Sequence, residues 1–135
     1  MSSDENAVTP RYPEGRRVYV IEILPKWYGV AASLNDEPIG EGHCVFYVGE
    51  TGLYICERYV NQRTGYKAGR IFKKIRREIK ETGAEDLTLE DSVDTRLRQD
   101  LAAGVPDGLT RDEALKEESA LAASLAAQGH TVFSN

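Results

Sequence analysis

Short β-branched and aromatic runs dominate the front of this chain, and the apolar residues then switch to helical spacing. Residues 16–24, Arg-Arg-Val-Tyr-Val-Ile-Glu-Ile-Leu, and residues 43–50, His-Cys-Val-Phe-Tyr-Val-Gly-Glu, both predict strands. Being near in sequence, they are expected to pair antiparallel. Residues 25–42 carry two prolines and three glycines and are predicted as a loop. Beyond Thr51-Gly52, the residues Leu53, Ile55, Cys56, Tyr59 and Val60 recur at helical spacing through Gln62. Thr64-Gly65 punctuates the pattern, and Lys67 to Lys80 then places Ile71, Phe72, Ile75 and Ile79 on one face of a second helix. Thr82-Gly83 reads as its stop.

Residues 84–108 are less regular. Leu87–Leu89 is predicted as a short strand and Asp94–Leu101 as a helical turn or two, before Pro106-Asp107-Gly108 breaks the chain. Thr110-Arg-Asp-Glu113 has the form of a capping box, in which hydroxyl and carboxylate each satisfy an otherwise orphaned amide. The alanine-rich helix it opens is predicted to run to about Gln128, with Gly129 ending it and Thr131–Phe133 forming a final strand. The expected fold class is a small α/β (α+β) domain over residues 16–135. Its sheet is mixed or antiparallel, of about three strands flanked by helices. Residues 1–15, polar and bearing Pro10, Pro13 and Gly15, are expected to be a flexible lead-in.

Composition narrows the class. A length of 135 residues supports one core, and 41% hydrophobic with 29% charged residues is ordinary for a globular domain. No run of 18 or more apolar residues is present, so no membrane span is expected, and the acidic, polar start is unlike a secretory leader. A cytoplasmic protein is the simplest expectation. Cys44 and Cys56 are the only cysteines, His43 and His130 the only histidines, and their spacing does not suit zinc. Two free, semi-buried thiols are expected. The net charge of -5 speaks against a polyanion partner overall, yet Lys67, Arg70, Lys73, Lys74, Arg76, Arg77 and Lys80 crowd one stretch opposed there only by Glu78. Local patches decide where a polyanion docks. That stretch reads either as a solvated helix face or as a phosphate-contacting surface.

Glu118 draws the eye next. At about 100° per residue, Ala114, Leu115, Leu121, Ala122 and Leu125 gather on one side of the last helix, with Glu118 near their middle. A charge on such a stripe is costly unless it is paired or binds a cation. Both a salt bridge at the rim of the core and a metal-coordinating acid satisfy that requirement. Alternation places Tyr19 on a face with Ile21, and Tyr47 with Val45 and Gly49. Either tyrosine can be a core aromatic or a chemical group. Arg58, in a helix, reads as a surface residue when taken alone.

Together these residues resemble the GIY-YIG nuclease family. Val18-Tyr19-Val20 stands at its first signature, with Val18 for Gly and Val20 for Ile, and Tyr47-Val48-Gly49 stands at its second. Cys56-Glu57-Arg58-Tyr59 matches its arginine-bearing helix, and Gly65-Tyr66-Lys67-Ala68 a turn frequent in small standalone members. Glu118-Ser-Ala-Leu121-Ala122 and Gly129-His-Thr-Val132 match its closing helix and strand. The resemblance covers about residues 16 to 133. It departs at Gln62, where the family usually has His or Tyr, and at Glu50, which follows the glycine.

The resemblance implies a metal-dependent endonuclease that hydrolyses phosphodiester bonds in DNA. Glu118 would hold one divalent ion, Mg2+ or Mn2+. Tyr19, its phenol acidified by nearby cations or reached through a water, would help activate the attacking water. Tyr47 would orient nucleophile or phosphate, Arg58 would stabilise transition-state charge, and Gly49 would leave room beside the site. Lys67, Arg70, Lys73, Lys74, Arg76 and Arg77 would contact the DNA backbone. The alternative is a catalytically weakened scaffold that binds nucleic acid or a protein partner without cleaving.

Overall fold

The structure is a computed structural model that describes residues 14–81 and 95–134. Strand β1 (Arg17–Ile23) leads through a single 3-10 turn (Pro25–Trp27) into helix α1 (Tyr28–Asn35). Strand β2 (Val45–Thr51) is followed by helices α2 (Ile55–Thr64) and α3 (Arg70–Glu81). Strand β3 (Thr95–Leu97), a 3-10 turn (Gln99–Ala102), helix α4 (Arg111–Ala127) and strand β4 (Thr131–Ser134) complete the described elements. The strands form one sheet in the order β3-β1-β2-β4. β1 pairs antiparallel with β2 and β3, and β2 pairs parallel with β4, so the sheet is mixed and the fold is α+β. No helix among the described residues is long and apolar enough to cross a membrane.

All of β1 is buried, because both faces of the sheet are covered. Tyr19, Ile21 and Ile23 point to one face with Val45 and Tyr47, where Ile71, Phe72, Ile75 and Ile79 of α3 close over them. Val18 and Val20 point to the other with Phe46 and Val48, against Leu121, Ala122 and Leu125 of α4. The amphipathic pattern of α3 and the apolar stripe of α4 are therefore the covers of opposite faces. Thr110 and Glu113 form both bonds of the capping box, at 3.1 and 2.8 Å, which starts α4 at the expected residue.

Two expected elements and one expected burial are corrected. Residues 25–42 are not all loop, since α1 occupies their centre. Pro25 sits in the first turn, where its missing amide donor is harmless, and Val30, Ala31 and Leu34 pack on the core at helical spacing. The prolines, with Gly40 and Gly42, flank this helix, and Gly29 lies in its first turn. Residues 95–101 begin as a strand rather than a helical turn, which gives the sheet a fourth member. The non-local pairing explains this: the Arg98 amide donates to the Val20 carbonyl at 2.8 Å, and the Arg96 and Arg98 side chains reach Glu22 at 2.9 and 2.8 Å. Among the thiols, both are free, and Cys56 is exposed rather than semi-buried. The lead-in over residues 1–15, the stop at Thr82-Gly83 and the strand at Leu87–Leu89 fall wholly or almost wholly outside the described residues.

Glu22 is buried near the end of β1. Burial pushes its carboxyl upward, but hydrogen bonds and charge from Arg98 and Arg96 outweigh it and hold the carboxyl below its usual range. A group whose acidity is strengthened by folding stabilises the fold above its unfolded pKa and loses that contribution as pH falls through the folded one. Stability should therefore decline in acid below about pH 4. Glu22→Gln should flatten that decline in urea titrations repeated across pH; an unchanged acid limb would assign it to other carboxylates.

Candidate active site

The register of the central strand pair builds the site. Tyr19 lies opposite Gly49, and Tyr47 lies opposite Ile21, so the two phenols are diagonal neighbours on one face. Their ring centroids are 6.3 Å apart. Gly49 has no side chain to compete with the Tyr19 ring, and a Cβ there would lie 2.5 Å from the Tyr19 hydroxyl. The room expected beside Gly49 is thus occupied by a phenol. Tyr47 is held edge-on by Phe72 at 5.0 Å, and a Cβ on Gly69 would meet its ring at 2.6 Å.

Gln62 joins these parts. Fully buried on α2, its amide nitrogen donates to the Tyr19 hydroxyl at 2.8 Å, and its amide oxygen accepts the Gly69 N–H at 2.8 Å. One side chain therefore fixes the first phenol and the backbone that leads into α3. Gln62 stands where the resemblance puts His or Tyr.

Arg58 lies one turn earlier on α2 and half-buried. It donates to the Lys67 carbonyl at 2.9 Å and, over a longer 3.5 Å, to the Tyr66 carbonyl. Glu118 is 3% exposed, on the face of α4 that also buries Ala114 and Leu125. Burial raises Tyr19 above its ordinary pKa; Gln62 and the Arg58 guanidinium pull it down, and the Glu118 charge pushes it up. Tyr47 is also raised, first by burial and then by Tyr19, with Gln62 and Arg58 opposing and Glu118 adding. Arg58 and Glu118 therefore lie within electrostatic range of both phenols, Glu118 as the weaker influence. The acidified phenol expected at Tyr19 is corrected, because desolvation outweighs Arg58. Both phenols are neutral at neutral pH.

Beside this cluster a cleft of about 860 Å3 opens between the ends of β1 and β2, α2 with the turn after it, and the first turns of α4. Arg58, Lys67, Arg16 and Arg111 supply its cations, and Glu50 and Glu57 its acids. Arg16 is paired with Glu50, so the negative charge that follows Gly49 meets a neighbouring cation. Tyr19, Tyr47 and Glu118 are buried and do not line the cleft, whereas Arg58 belongs to both. Of the basic residues near α3, Lys67 lines the cleft. Arg70, Lys73, Arg76 and Arg77 lie exposed around α3 with Lys74 half-buried, outside the cleft lining.

Gln62 as a buried clamp, Gly69, Arg16 and Arg111 are not among the expected site residues. Gly69 stands at the entry to the basic helix, where a glycine signals close approach. Arg16 and Arg111 carry no local signal, since only the tertiary fold brings strand start and helix start to one cleft.

Magnesium keeps several waters and takes one or two carboxylates, with substrate phosphates completing its shell. Among the described residues no group of three His, Cys, Asp or Glu side chains could hold an ion. Beside the phenols and Arg58 the acid present is Glu118, a hard oxygen donor. No protein-family model, no curated protein and no solved structure matches the chain.

Proposed function

We propose that this protein is a metal-dependent endonuclease of GIY-YIG type that hydrolyses phosphodiester bonds in DNA. The observation that carries the reading is the pair of phenols, Tyr19 and Tyr47, with ring centroids 6.3 Å apart and Arg58 reaching from beside them into a cleft that bears four cations. Glu118 is the residue that would hold Mg2+ or Mn2+. When bound, the ion supplies positive charge at a phosphate and its leaving oxygen.

The chain's own groups do the rest. Arg58 reaches the cleft and presents a cation, tethered through backbone carbonyls, to the charge that develops on the pentacovalent phosphate. Tyr19 and Tyr47, kept neutral by burial, act as hydrogen-bonding groups behind the cleft rather than as phenolates. Gln62 keeps the Tyr19 hydroxyl in one place, which preorganises it. Lys67 and Arg111 draw the DNA backbone into the cleft. The exposed cations of α3 extend that attraction along the surface, so affinity falls with salt.

Manganese-supported nicking of supercoiled plasmid tests the reading. Activity should appear with Mn2+ or Mg2+ and vanish with chelator, and Arg58→Ala should remove it while leaving the fold. A second reading, a scaffold that binds DNA without cutting, is favoured by the burial of both phenols and Glu118 away from the cleft. Salt-sensitive DNA binding without metal-dependent nicking would select it, and absence of both would sink the two readings together.

A further inference from the structure

Tyr66 is the most exposed large hydrophobic side chain among the described residues, at 60%, yet its backbone is tightly held. Its amide donates to the Asn61 carbonyl at 3.0 Å, closing the end of α2 after Gly65, which has φ 91°. Its carbonyl and that of Lys67 both face Arg58. Lys67 adopts a left-handed φ of 48°, which a side-chain-bearing residue rarely takes. Strain of this kind persists only where the surroundings enforce it.

In the helix-ending motif that this segment uses, an apolar residue at the Tyr66 position usually folds back on the preceding turn. Here the ring instead stands largely in solvent. It lines the same cleft as Arg58, Lys67 and Arg111, with the Lys67 ammonium 5.6 Å from its centroid. Leu115 of α4, another exposed apolar side chain at 38%, lines that cleft as well. An exposed aromatic on a firmly held backbone, bordered by cations, has the two parts of a single-strand site: a face for a base and charges for the flanking phosphates.

We propose that Tyr66 is a stacking platform for an unpaired base, so the cleft takes DNA with single-stranded character in preference to an uninterrupted duplex. This rests on the nuclease reading for its choice of DNA, but its test needs no cleavage. Fluorescence anisotropy with chelator present would compare a labelled single strand, an abasic strand of the same length, and a blunt duplex. Tyr66→Ala should weaken single-strand binding about tenfold, the effect of losing one stacked base. Tyr66→Trp should retain it, and the abasic strand and duplex should be insensitive. Circular dichroism should find each variant folded, since the ring is exposed.

Unchanged single-strand binding in Tyr66→Ala, equal losses on all three ligands, or no binding to any of them would overturn the proposal. Tyr66-dependent binding without plasmid nicking would defeat the nuclease reading and leave the platform standing. Nicking with binding indifferent to Tyr66 would do the reverse.

Discussion

Glu118→Gln is expected to remove metal-dependent nicking by roughly 10²–10³-fold or more, the scale set by deleting one charge-stabilising group from an active site. The substitution keeps the shape of the side chain and removes its charge, so the packing of α4 on the sheet should survive. Its charge lies within electrostatic range of Tyr19 and Tyr47, as the weakest of the influences on them. Glu117 is a suitable control: it is the adjacent residue, about 100° around the helix, and only half-buried. Glu117→Gln should nick plasmid as the unaltered protein does. Full activity in Glu118→Gln, with thermal unfolding unchanged, would take the acid out of the mechanism.

Gln62→Leu is expected to cost the fold about 3 kcal/mol, because it strands two polar groups at once. The Tyr19 hydroxyl and the Gly69 amide each lose the partner they hold at 2.8 Å, and leucine offers neither a replacement. Urea unfolding measures the loss as a shift in midpoint at constant slope. Tyr19→Phe should then harm the Gln62→Leu background less than it harms the parent, since the hydroxyl has already lost its donor. That non-additivity, on the order of 1 kcal/mol, is the signature of a direct bond. A loss below about 0.5 kcal/mol, typical of surface substitutions, would show that Gln62 is not the clamp its geometry describes.

Much of this was legible in the residues because it follows from local period. Alternation put Tyr19 and Tyr47 on determinate faces, and the antiparallel pairing expected for consecutive strands brings those faces together. Helical spacing put Glu118 on the core side of α4 and the isoleucines of α3 inward. The capping box started α4 where Thr110 and Glu113 predict it. The helix within 25–42 and the strand at 95–97 leave no local mark, for one reason. Their structure depends on partners far away in the chain: the core that α1 covers, and the Glu22 and Val20 groups that Arg96 and Arg98 meet.

The site divides in the same way. Residue type and order carry the resemblance, which implies roles for Tyr19, Tyr47, Arg58 and Glu118, while strand and helix periods fix only the faces on which Tyr19, Tyr47 and Glu118 lie. Which charges face the phenols, whether those phenols are acidic, and which arginines border the cleft were decided only in three dimensions. Desolvation and Coulomb interactions depend on through-space neighbours. Arg16, Arg58 and Arg111 become neighbours only when strand and helix ends close on one opening.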